Sequence, residues 1–283
     1  MQNLNKQASK NRGIYLLPNL LTTAGLFSGF YAVIASMNGH FESAAIAIFV
    51  AMLFDGLDGR VARMTNTQSA FGAEYDSMAD MVSFGVAPAI IAYNWGLAEL
   101  GKVGWLAAFI YCAGAALRLA RFNTQVGVAD KRYFQGLASP AAAAIIAGAI
   151  WTGTYYDITG SQVSYLLTLL TGGVGLLMVS NFRYYSFKDY DWRSKVNFIV
   201  ILALVGLFVI VSVQPATILF GAFLLYAFSG PIYTIRRVKK LKVSDVVGDD
   251  DDVIYEPSSD AVENELKQDQ EDRKPSQRSN DQL

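Results

Sequence analysis

The sequence predicts an all-α, polytopic transmembrane bundle of about eight spans. Three observations carry this. Hydrophobic residues make up 53% of the 283-residue chain and charged residues 17%, with mean hydropathy +0.29, whereas soluble domains carry nearer a quarter charged residues. Several apolar runs approach the ~20 residues a helix needs to cross a hydrocarbon core. Almost all basic residues of the body fall in alternate connections between those runs, as the positive-inside rule requires.

The eight spans are read as 18–37, 43–64, 78–97, 103–121, 139–156, 164–182, 196–213 and 215–235. In lipid the backbone must satisfy its own hydrogen bonds, so such runs form helices. Ser139-Pro140 reads as a capping hydroxyl before a first-turn proline, and Gln214-Pro215 restarts a helix after a short turn. Pro88 lies inside the third run and is expected to bend it. Up to Lys242 there are 19 Lys+Arg against 11 Asp+Glu; beyond it there are 4 against 13. Eighteen of the 19 basic residues sit in the N-terminal segment, the even-numbered connections or just after the last span, and Lys102 alone lies opposite. An even number of spans with both termini cytoplasmic satisfies this pattern. Residues 1–17 then form a cytoplasmic N-terminal segment and 18–242 the transmembrane domain. Residues 243–283 form an acidic tail of disordered composition. The N-terminus, with Lys6, Lys10 and Arg12, does not read as a cleavable signal. Cys112 is the single cysteine, so no intrachain disulfide forms. His40 reads as a solvated loop residue, and Tyr15, Trp95, Trp105, Trp151 and Tyr155 as interfacial aromatics.

The chemistry concentrates at 55–80. Asp55 and Asp58 are three residues apart and share one face of the second helix, and Asp76 and Asp80, four apart, share one face of the third. A short connection makes these helices antiparallel neighbours, so four carboxylates are expected to converge at one membrane boundary. Acids at that depth are costly and point to a functional site. Close carboxylates repel each other, and hard divalent cations such as Mg²⁺ or Mn²⁺ resolve that conflict. Gly56, Gly59, Ala62 and Gly72 clear space for a bulky ligand to approach backbone, and Arg63, one turn from Gly59, suits a phosphate. The competing reading is structural: ion pairs of these acids with Arg60, Arg63, Arg118 and Arg121, with the glycines serving helix packing.

The stretch resembles the CDP-alcohol phosphotransferase signature, Asp-x2-Asp-Gly-x2-Ala-Arg-x8-Gly-x3-Asp-x3-Asp. All eight fixed positions are met, by Asp55, Asp58, Gly59, Ala62, Arg63, Gly72, Asp76 and Asp80. Pro18–Thr22, Ser83–Ala89, Leu117–Asn123 and Phe134–Ala141 further resemble the integral-membrane phosphatidylserine synthases of that family, although Ala138 stands where the family more often has proline. The resemblance implies the family's fold and a bacterial cytoplasmic membrane location. It implies that Asp55, Asp58, Asp76 and Asp80 hold divalent metal, Mg²⁺ or Mn²⁺ and two ions. Gly59, Ala62, Arg63 and Gly72 would bind CDP-diacylglycerol, and Asp80 would act as general base on L-serine. It also implies a possible homodimer. Arg118, Arg121 and Asn123, at the end of the fourth span, are candidates for the serine carboxylate or a lipid phosphate; the alternative is headgroup anchoring. Asn19 and Thr22 read either as nucleotide contacts or as helix caps. Glycerol phosphate, inositol phosphate or choline as acceptor, a membrane prenyltransferase and a cation transporter are the rival readings. The edge position of the acids counts against the last.

Overall fold

The structure is a computed structural model that describes residues 2–125, 133–185 and 198–247. Among these, eight helical rods follow one another. They are α1 (Gln2–Met37), α2 (Phe41–Thr65), a composite rod, α5 (Lys102–Gln125), α6 (Ser139–Tyr155), α7 (Ser164–Val179), α8 (Phe198–Val213) and α9 (Pro215–Val247). The composite third rod joins α3 (Ala70–Asp80), a π-helical stretch Met81–Val86 and α4 (Ala87–Trp95). Each predicted span corresponds to one rod. Four rods, α1, α5, the rod ending in α7 and α9, are long and apolar enough to cross a membrane by length and composition alone. The others are shorter or carry the acids discussed below. The chain is an integral membrane protein.

Two boundaries differ from expectation. α1 begins at Gln2 and carries Pro18 inside it, so Asn19 and Thr22 are not at a helix start. α6 begins at Ser139, but its N-cap is Ala138 and no side chain caps it; the Ser139 hydroxyl is engaged elsewhere. Where a bend is expected at Pro88, the helix winds as a π-helix over Met81–Val86 and α4 starts with Pro88 in its first turn. A short antiparallel ladder pairs β1 (Tyr133–Gln135) with β2 (Arg183–Tyr185), tying the connection after α5 to the one after α7. Lys131, Arg132, Lys188, Arg193, Lys195 and the acidic run Asp249–Asp252 lie outside the described residues. Residues Met1–Arg236 form one compact unit; the described part of the other, Arg237–Leu283, is the end of α9.

Small residues make the core. Ala44, Ala45, Ile48 and Ala51 of α2 and Ala141–Ala144 and Ala147 of α6 are buried, which lets backbones approach closely where lipid offers no hydrophobic drive. At the α5–α7 crossing a Cβ on Gly114 would lie 2.4 Å from the Gly175 carbonyl oxygen, so only glycine fits. Large apolar side chains such as Phe27, Phe30, Trp105, Phe109, Tyr165 and Leu169 are exposed, as lipid-facing residues are.

α2 and α3 are not packed neighbours. Each leans on α1, and they touch one another little below the π-helical stretch. The four-residue connection 66–69 turns the chain with Asn66 in the left-handed region at φ 52°, and Ser69 caps α3 by accepting from the Gly72 amide at 3.0 Å. Such a link fixes where the helix ends meet, not how far their bodies splay. α1 fills the wedge, with Thr23 Oγ1 and the Tyr75 hydroxyl sharing a hydrogen bond of 2.9 Å and Ser83 Oγ donating to the Gly25 carbonyl at 3.2 Å.

Candidate functional site

The carboxylates converge across this wedge. Ligand oxygens of Asp55, Asp76 and Asp80 all lie within 4.8 Å of one another. The carboxyls of Asp55 and Asp80 lie beside one another, and so do those of Asp58 and Asp76. Asp58 stands to one side of the triad, 4% exposed, where Thr22 Oγ1 donates to its Oδ2 at 2.6 Å. The four converging acids expected from the sequence take the form of a triad plus a tethered fourth. Helical spacing aligned each pair on its own helix; the tether comes from α1, which spacing within 55–80 does not address.

Two adjoining cavities occupy the site. The smaller, about 10 Å³, is walled by all four aspartates together with Thr22, Gly25 and Ser83. That is on the order of one water-sized probe. The larger, about 310 Å³, is enclosed by α1, the end of α2, the 66–69 connection and the start of α3, and Asn19, Gly59, Ala62, Arg63, Thr67, Gln68, Ser69 and Gly72 line it. Its volume is in the range of small-molecule sites, roughly 300–1,000 Å³. Thr22, Asp58 and Asp76 line both cavities, so an acid wall joins an ion-sized space to a nucleotide-sized one. Gly59, Ala62, Arg63 and Gly72 are gathered as the signature implies. Gly56 is exposed and lines neither cavity, because it faces the other side of α2.

The aspartates are not held by direct ion pairs: among the described residues no lysine or arginine forms a salt bridge with any of the four aspartates. Arg118 and Arg63 act on these acids only from beyond bonding distance, and crowded carboxylates that all offer oxygen fit a hard divalent cation.

α5 carries the remaining candidates. Arg118 faces the acids on the inner side of α5; its Nη1 donates to Ser139 Oγ at 2.7 Å, and its buried Nε has no partner. Arg121 Nη1 donates to the Val179 carbonyl and to Asn181 Oδ1, both at 3.2 Å, closing the C-terminal end of α7. Asn123 Nδ2 donates to Ser77 Oγ at 3.0 Å, linking α5 to α3. Sequence reasoning missed Ser139, which it read as a cap, and left Thr22 undecided. A usable signal was present on α1: Thr22, Gly25 and Gly29 share one face at spacings of three and four, a small-residue stripe ending in one hydroxyl.

Comparison with known proteins agrees with this geometry. Residues 15–175 match the family model described as CDP-alcohol phosphatidyltransferase. A Helicobacter pylori protein named CDP-diacylglycerol–serine O-phosphatidyltransferase is 35% identical over 225 residues, covering 80% of this chain and 94% of that protein. A Methanocaldococcus jannaschii protein of the same name is 35% identical over 198 residues, covering 69% of this chain and 87% of its own length. A Saccharomyces cerevisiae protein of that name is 39% identical over 146 residues, 47% of this chain and 52% of its own length. With the signature gathered around one wedge and more than half of the chain matched, the chain belongs to the CDP-alcohol phosphatidyltransferase family.

Proposed function

We propose that this protein transfers the phosphatidyl group of CDP-diacylglycerol to L-serine, giving phosphatidylserine and CMP. The observation that carries the proposal is the acid triad of Asp55, Asp76 and Asp80, within 4.8 Å and drawn from two helices, opening into a pocket of about 310 Å³. The relatives' shared name supports serine as the acceptor. Asp55, Asp58, Asp76 and Asp80 hold divalent metal, Mg²⁺ or Mn²⁺ and two ions by family likeness. When bound, the metal neutralises the diphosphate and the departing CMP.

The chain's own residues do the rest. Gly59, Ala62 and Gly72 leave room for the cytidine half of the donor, and Arg63 at the rim pairs with a phosphate. Asp80 accepts the proton of the serine hydroxyl as its oxygen bonds to the phosphorus that carries diacylglycerol. The bond from that phosphorus to the oxygen of CMP breaks, and CMP leaves with the electron pair. Arg118, steadied by Ser139, offers its free Nε to the serine carboxylate. Arg121 and Asn123, whose side chains already bind α7 and α3, serve by holding α5 in place. Positioning and electrostatics dominate such a reaction. The site and both termini face the cytoplasm in this reading, because basic residues fall in the N-terminal segment, in alternate connections and just after the last predicted span, as the positive-inside rule requires. The lipid enters sideways from the bilayer, and a homodimer belongs to the proposal on family likeness.

The deciding experiment gives purified protein CDP-diacylglycerol, Mn²⁺ or Mg²⁺ and a panel of alcohols, and follows CMP. Serine-dependent release is expected. Release only with glycerol phosphate, inositol phosphate or choline would move the protein to a sister activity, and no release with any acceptor would refute the proposal.

A further inference from the structure

In an α-helix the amide of residue 88 would donate to the carbonyl of Phe84, but Pro88 has no N–H. The helix widens here: Met81–Val86 wind as a π-helix, and the Ala87 amide donates to the Val82 carbonyl, five residues back. The Phe84 carbonyl takes a donor from another helix, the hydroxyl of Tyr111 at 2.9 Å. Tyr111 is 0% exposed, and the α5–α7 crossing holds it inward: a Cβ on Gly175 would lie 2.7 Å from Tyr111 Cα. Four residues on, Ala115 packs on Gly85 of the same stretch, where an added Cβ would lie 3.2 Å from Ala115 Cβ.

Asp80 is the last residue before this stretch. A π-turn adds about one residue to a helix, and one residue is ~100° of rotation. Loss of the turn must therefore rotate one flank against the other. α4 cannot yield, since Ala87, Pro88, Ala89, Ile91 and Ala92 are all buried. α3 has a single buried residue, Ala79, so the rotation falls on α3 and on its carboxylates.

We propose that Tyr111 is a positioning residue for the acidic site: its hydroxyl occupies the carbonyl that Pro88 cannot serve, holds the π-turn open, and so aims Asp76 and Asp80 at Asp55. This rests on the reading of the acids as a divalent-cation site. Tyr111 touches neither cavity lining the acids; it acts through Phe84, which does line the smaller one.

The test is Mn²⁺ binding by the full-length purified protein, read as loss of the free-ion paramagnetic resonance signal. Asp55→Asn reports ions bound elsewhere, including on the acidic tail. Tyr111→Phe is expected to bind Mn²⁺ about tenfold more weakly, the scale of one buried hydrogen bond. Adding Pro88→Ala gives the Phe84 carbonyl the amide of an α-turn, so the double variant should regain thermal stability but not Mn²⁺ affinity, because closing that turn rotates the acids away. A role of Tyr111 in stability alone predicts that affinity returns with it. Unchanged affinity in Tyr111→Phe, or restored affinity in the double variant, overturns the inference. If Tyr111→Phe does not fold, the double variant decides: it should fold and bind weakly, and wild-type affinity or failure to fold overturns the inference equally. Wild-type protein that binds no Mn²⁺ beyond Asp55→Asn would instead overturn the site reading, and with it any role for Tyr111 in aiming it.

Discussion

Replacing Thr22 by valine removes one hydroxyl and keeps the shape of the side chain, so it isolates the link between α1 and Asp58. Both residues are nearly out of solvent, at 5% and 4% exposure, and the bond is short, 2.6 Å from Thr22 Oγ1 to Asp58 Oδ2. The same hydroxyl has the Pro18 carbonyl as a second acceptor at 3.1 Å, which replaces nothing at Asp58. A hydrogen bond to a charged partner is worth about 1.5–3 kcal/mol. Felt in the orientation of the carboxylate, that corresponds to about 10- to 100-fold in the Mn²⁺ concentration needed for half-maximal CMP release. Thr22 and Asp58 also line the larger cavity, so water that enters from there sets the lower end of that range. Thr22→Ser keeps the donor and should stay within about threefold of wild type, since only a methyl group is lost. The assay is serine-dependent CMP release against Mn²⁺, with thermal unfolding in the same detergent as control. A Thr22→Val protein with wild-type Mn²⁺ dependence and rate would refute the view that α1 tethers the fourth acid.

Other outcomes follow from the same geometry. Asp80→Asn should lower turnover by about 10²–10⁴, the range of a general base, and single-turnover CMP release will measure it. Arg118→Ala should raise the KM for serine while leaving the KM for CDP-diacylglycerol near wild type, because the guanidinium contacts Ser139 and not the large pocket; steady-state kinetics in both substrates separates the two. Gly72→Val should do the reverse and raise the KM for CDP-diacylglycerol, since a Cβ there already lies 3.1 Å from Ser69 Oγ and 3.3 Å from Asn19 Oδ1. Chelation with EDTA should abolish CMP release, and added Mg²⁺ or Mn²⁺ should restore it; activity that survives chelation would remove the metal from the reaction.

The sequence alone determined the parts whose physics is local. Apolar runs long enough for a bilayer specify rods, alternating basic connections specify an even number of them, and spacings of three and four align Asp55 with Asp58 and Asp76 with Asp80. Gly59, Ala62, Arg63 and Gly72 came with that signature and do line one pocket. The tertiary structure decided what depends on how rods cross. α1 packs against both α2 and α3 and with them encloses the large pocket. Thr22 reaches Asp58 across 36 residues, Arg118 claims the Ser139 hydroxyl from 21 residues away, and Tyr111 donates to Phe84 at a separation of 27. A hydrogen bond between helices is set by their crossing angle and by glycines such as Gly114 and Gly175 that permit the approach. Those quantities arise only when the whole bundle packs, so no single run of residues contains them.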